Sequence, residues 1–275
     1  MCHHCVMETV KSRMLSRRDL FRGSAAAAGA AALASVSAPP RAEAQPATAS
    51  KWVDLTHELH QDFPTFSGEP NIWLEPKYKI DGDGYNLNYW KLEEHCGTHM
   101  DAPLHFSKDG RSVAELEVGE LVAPLVIIDI REKASQNPDA QVTPEDIDAW
   151  VSKNGDIPQG ACVAMLSGWS EKVNSKEFRN ADDKGVMHFP AFHVEATNKL
   201  LEENRAAAIA VDTLSLDFGP SPDFAVHYSW LPAGRFGIEC VANLDQLPAA
   251  GATIVIGAPK IRQATGGPAR VFAFY

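Results

Sequence analysis

Basic residues are scarce in this chain. Its 275 residues include 25 Lys and Arg against 36 Asp and Glu, which gives a formal net charge of −11. Attraction to a phosphate backbone needs clustered Lys and Arg, so the sequence predicts no nucleic-acid partner. The chain also lacks internal repeats, and its hydrophobic content of 45% is ordinary. Repeat proteins and disordered chains are therefore excluded.

Cysteine is scarce as well, with five in the whole chain. Two lie close to the N-terminus, which leaves Cys96, Cys162 and Cys240 in the remainder. An odd number predicts no disulfide framework. Cys96 and Cys240 adjoin candidate site residues, so they either pair with each other or are buried, unreactive thiols, and the second alternative is favoured.

Long, strongly apolar runs are missing too. Residues 1–44 place Arg17 and Arg18 just before a stretch from Gly23 to Pro40 that is rich in Ala, Gly and Ser. A membrane span needs about 20 strongly apolar residues, so this stretch predicts a cleaved twin-arginine export signal and no stable span. We expect a linker at 45–51, one domain over 52–275, and a periplasmic location.

Short apolar or alternating segments predict strands through the rest of the chain. They are Trp52–Leu59, Tyr85–Glu93, Val122–Ile130, Ala161–Leu166, Ala207–Val211, Thr253–Ile256 and Arg270–Phe274. Thr143 followed by Pro144 predicts the start of one helix, and a second fits Val194 to Asn204. The sequence therefore predicts a single mixed α/β domain.

Titratable side chains crowd into one short stretch that holds His95, His99, Asp101 and His105. On a helix Asp101 would point away from the first two histidines, whereas on an extended strand the even offsets place all three on one face. Gly97 disfavours a helix. Two imidazoles and a carboxylate suit a divalent metal such as Zn or Mn with positions left open, which indicates catalysis.

The fourth residue of the stretch, His105, follows Pro103, which breaks the strand. His105 therefore need not bind the same metal and can stand beside it. The ordinary pKa of histidine is near neutrality, so a histidine next to a metal is well placed to move protons.

The pattern His95-x-Gly97-Thr98-His99-x-Asp101-x-Pro103-x-His105 resembles the signature of the cyclase family of metal-dependent hydrolases, which includes bacterial kynurenine formamidases and isatin hydrolases. Segments Val53–His57, Leu166–Trp169 and Pro268–Ala273 resemble further parts of that family. The resemblance implies a β-rich core of the swivelling β/β/α type and a homodimer.

The resemblance also implies metal ligands outside the motif. In the formamidase branch a later His and Glu stand twelve residues apart, as His227 and Glu239 do here. The implied site holds one or two divalent ions, Zn or Mn. His95, His99 and Asp101 would bind the first, Asp101, His227 and Glu239 the second, and His105 would carry the proton.

The expected function is metal-dependent hydrolysis of an amide, formamide or lactam bond in a small, aromatic compound by a metal-activated water. Two alternatives stay open at this point. One is a periplasmic protein that binds metal and ligand without turnover, and the other is a ring-closing or dehydrating cyclase.

Overall fold

A computed structural model describes residues 51–275; the predicted signal at 1–44 and all but the last residue of the predicted linker lie outside this range. The described strands are β1 (Trp52–Asp54), β2 (Ile72–Tyr78), β3 (Leu87–Leu92), β4 (His99–Asp101), β5 (Val122–Asp129), β6 (Gln141–Val142), β7 (Ala161–Leu166), β8 (Ala191–Phe192), β9 (Ala206–Val211), β10 (Phe236–Glu239), β11 (Ala252–Gly257), β12 (Gly266–Pro268) and β13 (Arg270–Phe274). The α-helices are α1 (Ile80–Asp83), α2 (Arg131–Gln136), α3 (Pro144–Asn154), α4 (Val194–Glu203) and α5 (Ala225–Trp230).

Nine of these strands form one sheet in the order β1-β13-β11-β5-β7-β9-β10-β4-β12. The central strands β5, β7, β9 and β10 are parallel, and the pairs on both sides of them are antiparallel. Parallel strands need helical or long connections that cover the sheet, which explains why their sequences are apolar throughout.

Alternate residues of the central strands pack on opposite faces of the sheet. Leu125 and Ile127 of β5 belong to one buried cluster, whereas Val126 and Ile128 belong to the other. Helices α3, α4 and α5 add apolar residues such as Trp230 to this second cluster. The result is the mixed α/β arrangement predicted from the sequence. Among residues 51–275, no helix is both long and apolar enough to cross a bilayer.

Residues 74–89 do not belong to the compact unit that contains residues 51–73 and 90–275. This segment contains most of β2, the single turn α1 and the start of β3, and β2 pairs with β3 in a separate two-stranded sheet. The Tyr78 and Tyr85 rings lie 5.2 Å apart, and the Lys77 ammonium lies 4.7 Å from the Tyr89 ring. Leu74 and Tyr89 are both more than half exposed.

Helix α3 begins where its cap predicts. The backbone N–H and the hydroxyl of Thr143 both donate to the Asp146 carboxylate, and Pro144 occupies the first turn. A cap of this kind satisfies backbone donors that the first turn leaves unpaired. By contrast, the strand predicted over Trp52–Leu59 ends at Asp54, where the Asp54 carboxylate accepts the N–H of Thr56.

Candidate metal centre

Strand β4 is held between two neighbours, β10 and β12. His99 on β4 lies directly opposite Glu239 on β10, and Asp101 lies opposite Gly237. Side chains of directly opposed residues point to the same face, as do residues two apart on a strand. The register therefore brings the His99 imidazole and the Asp101 and Glu239 carboxylates together.

The fourth member of the cluster comes from a helix. His227 lies on α5, and its Nε2 is 3.5 Å from Asp101 Oδ2 and 3.4 Å from Glu239 Oε1. His99 Nε2 is 3.3 Å from Asp101 Oδ1 and 3.3 Å from Glu239 Oε2. All four side chains are buried. Each of the two imidazoles thus contacts both carboxylates, but through different oxygen atoms.

The buried atoms of this cluster fit a bound metal ion. Within residues 51–275, His99 Nε2 and Asp101 Oδ2 are buried polar atoms without a hydrogen-bond partner, which is rare in native proteins. Zinc ligands at about 2.0–2.1 Å in a tetrahedral arrangement lie roughly 3.4 Å apart, which matches the separations between these atoms. The residues His99, Asp101 and Glu239 can therefore hold a divalent ion.

Hydrogen bonds at Nδ1 orient the His99 and His227 imidazoles for metal binding through Nε2. His99 Nδ1 lies 2.9 Å from the Gly97 carbonyl oxygen, which can only accept, so Nδ1 carries the proton. His227 Nδ1 lies 2.6 Å from an oxygen of the Asp217 carboxylate. In both rings Nε2 is therefore the nitrogen that faces the cluster and can supply a lone pair to a metal ion.

The carboxylates make the centre favourable for positive charge. Burial alone lowers the pKa of His99, but the neighbouring carboxylates of Asp101 and Glu239 outweigh burial and raise that pKa to about 10. Burial raises the pKa of Asp101, yet the neighbouring imidazoles of His227, His95 and His99 hold it well below its usual value. A cation at this point, either a proton or a metal ion, is therefore stabilised.

His95 reaches the cluster from a loop. The prediction that His95, His99 and Asp101 share one strand is wrong for His95, because Gly97 adopts φ +62° and turns the chain before β4 begins. His95 Nδ1 lies 2.6 Å from Asp101 Oδ1, and its Nε2 lies 3.0 Å from the Thr265 hydroxyl.

His105 stands beside this cluster. Its ring stacks on that of His95 with centroids 3.8 Å apart, in a short turn that begins at Pro103. Burial lowers the pKa of His105 to about 4, although Asp101 raises it in part. A neutral imidazole in this position can accept a proton, as the sequence-based role of His105 requires. His95, Asp101 and His105 also form a second group whose ligand atoms could share one ion.

A cavity of about 290 Å³ opens beside the cluster. His95, His99, His105, His227 and Glu239 form its polar end. The other walls are largely apolar and include Pro64, Phe66, Phe106, Leu214 and Phe224. A small cavity with aromatic walls and a few convergent polar groups is typical of a site for a small, planar molecule.

The glycine at the start of β12 makes room for the His95 ring. A Cβ at Gly266 would lie within 2.4 Å of His95 Cε1 and 2.5 Å of the Met100 carbonyl oxygen, closer than real Cβ atoms approach. We expect Gly266→Ala to displace His95 and to lower kcat/KM by about 10- to 100-fold, since small misplacements of catalytic groups have effects of this size.

Gly267→Ala is the matched control for this substitution. The atom nearest to a Cβ at Gly267 would be Pro259 Cδ, at 3.8 Å, which is an ordinary contact. We therefore expect kcat/KM of this variant to remain near that of the parent. Equal losses in the two variants, measured on protein with the same unfolding temperature, would contradict the role given to Gly266.

The cysteines near the site are not paired. Cys96, Cys162 and Cys240 are all free and buried, so the alternative of unreactive thiols is confirmed among the described residues. Burial raises the pKa of Cys96 to about 11 and that of Cys162 to about 12. Thiols with such pKa values are poor nucleophiles and poor metal ligands at neutral pH.

Comparison with known proteins identifies the family. The model of the family described as "Putative cyclase" matches residues 53–218, which is more than half of the chain. The chain belongs to the cyclase family. The same segment contains β4 and His105, the part of the site on which the resemblance was based.

This cyclase-family chain is similar to several named relatives. It is 31% identical over 226 residues to isatin hydrolase of Roseibium aggregatum, and this alignment covers 78% of this chain and 85% of that protein. It is 34% identical over 82 residues to kynurenine formamidase of Bacillus mycoides, covering 30% and 39% of the two chains. The structure of isatin hydrolase A from Labrenzia aggregata bound to benzyl benzoate matches with TM-score 0.76 and 36% identity, over 82% of this chain and 93% of that one.

These similarities confirm the predicted fold class and the predicted class of activity. The cyclase-family chain is a hydrolase of carbon–nitrogen bonds that acts on a small molecule. The buried residues of its site can hold a divalent metal. Neither the non-catalytic binding protein nor the ring-closing cyclase is favoured by the relatives.

Several residues at the site were missed or placed differently from the sequence. Asp217 and Thr265, which bond to His227 and His95, lie in loops where Asp and Thr are common, so nothing in their spacing indicated a role. Phe66 lines the cavity, whereas Trp169 is buried in a separate apolar cluster.

Proposed function

We propose that this hydrolase opens an amide, formamide or lactam bond of a small aromatic compound, with isatin and N-formyl anilines as the first substrates to test. The observation that carries the proposal is the cluster of His99, Asp101, His227 and Glu239 at one end of a cavity with phenylalanine walls. The named activities of the relatives support the same substrate class.

We assign the metal ligands to five residues, His95, His99, Asp101, His227 and Glu239. Imidazole and carboxylate ligands suit both Zn and Mn. The ligand atoms of His99, Asp101 and Glu239 are close enough to share one ion, so we propose the tightest binding there, with His227 within 3.5 Å of the same two carboxylates. A second ion near His95 would have to replace the 2.6 Å hydrogen bond between His95 and Asp101, so we propose weaker binding there.

The residues around the metal would bind the substrate and transfer the proton. A divalent metal supplies Lewis acidity, which polarises a carbonyl and lowers the pKa of water. Phe66, Phe106 and Phe224 would hold the aromatic ring of the substrate and exclude bulk solvent. His105, neutral and at the edge of the cavity, would accept the proton of the attacking water and deliver it to the leaving nitrogen.

Removal and return of metal test this function. Dialysis against a chelator should abolish hydrolysis of isatin or formanilide, and stoichiometric Zn²⁺ or Mn²⁺ should restore it, because the site supplies no other electrophile. Elemental analysis of the native protein should find close to one ion per chain. Full activity in a protein shown to contain no transition metal would contradict the proposal.

Two further proposals concern the whole protein. The predicted signal at 1–44 supports export to the periplasm, which fractionation of cells expressing the full chain tests directly. The exposed apolar side chains of Leu74, Leu87 and Tyr89 support a homodimer, since exposed apolar residues can mark association surfaces. A monomeric mass in light scattering at micromolar concentration would overturn the dimer.

A further inference from the structure

Asp217 lies in the loop between β9 and α5 and is 3% exposed. Its carboxylate accepts hydrogen bonds from one short stretch of chain. Oδ1 accepts the N–H of Val226 at 2.9 Å, while Oδ2 accepts the N–H of His227 at 3.1 Å and faces His227 Nδ1 at 2.6 Å. The Ser221 hydroxyl lies 3.4 Å from Oδ1. The carboxylate thus contacts both the backbone N–H and the ring of the same histidine.

The contacts with Asp217 determine which nitrogen of His227 faces the cluster. An ionised carboxylate can only accept, so the proton of the ring must lie on Nδ1. Nε2 is then left with its lone pair toward Asp101 and Glu239, at 3.5 and 3.4 Å. The two backbone hydrogen bonds also fix the start of α5. The ring can neither flip nor swing away without breaking the contact between Nδ1 and Asp217 Oδ2.

We propose that Asp217 is a positioning residue that holds His227 in the ring orientation and tautomer needed to bind the metal. The inference rests on the proposed assignment of His227 as a metal ligand. Partners of this kind tune metal sites strongly, and their loss typically lowers metal affinity by about 10- to 100-fold.

The comparison with His99 shows why Asp217 can be tested. His99 Nδ1 is oriented by the backbone carbonyl of Gly97, which no substitution removes. His227 is oriented by the side chain of Asp217. A substitution of Asp217 can therefore change the tautomer of His227 while the His227 side chain itself is kept.

Asp217→Asn is the central variant. Asparagine keeps the size but has one acceptor oxygen where Asp217 uses two, so it cannot accept the backbone N–H of Val226 together with the backbone N–H and Nδ1 proton of His227. We expect the affinity for Zn²⁺, measured by competition with a chromophoric chelator on the metal-free protein, to fall about 10- to 100-fold.

Asp212→Asn is the matched control. Asp212 is equally buried, lies five positions upstream, and accepts hydrogen bonds from the N–H groups of Ser167, Gly168 and Trp169, with no histidine partner. Its substitution should lower the unfolding temperature and leave Zn²⁺ affinity within about two-fold of the parent. Equal losses of affinity in the two variants would overturn the proposal.

His227→Ala and the double variant show whether Asp217 acts through His227. The single variant should lose Zn²⁺ affinity, and adding Asp217→Asn should cause no further loss. A further loss would overturn the positioning role. Unchanged affinity in His227→Ala would instead show that His227 is not a metal ligand. That result would contradict the proposed ligand assignment, and the hydrolysis measurements would then test the proposed activity independently.

A measurement on the parent protein keeps the inference testable if Asp217→Asn fails to fold. In ¹⁵N-histidine-labelled, Zn²⁺-loaded protein, the His227 signals, assigned by their absence in His227→Ala, should show a proton on Nδ1 and none on Nε2. A proton on Nε2 of the loaded protein would overturn the proposal.

Discussion

Replacing His99 by alanine is expected to abolish hydrolysis and to lower metal content together. His99 supplies one of the two buried imidazoles of the cluster, and its Nε2 has no other partner within residues 51–275. Electrophilic activation by a metal contributes several kcal/mol, which corresponds to a loss of roughly 10³-fold or more in kcat. Single-turnover hydrolysis and elemental analysis of the same preparation measure both effects.

His188→Ala is the control for the His99 substitution. His188 also pairs with a carboxylate, Asp139 at 2.8 Å, but it is only half-buried and does not line the cavity. We expect its loss to leave metal content and kcat unchanged. A His99→Ala protein that hydrolyses substrate as fast as the parent would show that the metal assignment is wrong.

Replacing His105 by alanine is expected to separate proton transfer from metal binding. The neutral ring of His105 lies at the cavity edge, and general acid–base catalysis typically contributes about 10²- to 10⁴-fold. We therefore expect kcat to fall by that factor while the metal content measured by elemental analysis stays at the parental level.

The stacking of His105 on His95 calls for two checks on this result. His105→Gln keeps most of the side-chain volume and should be as slow as His105→Ala, because glutamine cannot transfer the proton. Free imidazole should restore part of the activity of the alanine variant. Loss of metal in step with loss of activity would mean that His105 acts as a ligand instead.

The elements that could be predicted are those whose sequence signals are local. Strand β7 and the start of α3 lie where the sequence places them, because an apolar run and a Thr-Pro cap each act within a few residues. Strand β10 was not predicted. It has only four residues, and its pairing with β4 depends on partners more than 130 positions away.

The site could be predicted only in part for the same reason. The spacing of His99 and Asp101 is enough to place them on one face of a strand, and the structure does so. His227 would be an ordinary surface residue from the sequence alone, yet it is buried 3.5 Å from Asp101. The left-handed turn at Gly97, which takes His95 off the strand, is a local choice that alternation cannot reveal.

The hydrogen bonds beside the site span most of the chain. The Thr98 hydroxyl donates to the Cys240 carbonyl oxygen 142 positions away, and Thr265 donates to Glu94 across 171 positions. Strand β12, which flanks β4, begins only at Gly266. Nearly the whole polypeptide must therefore leave the ribosome before the reactive centre can form. Contacts this distant in sequence also make folding slow, so the centre is among the late parts of the structure to be completed.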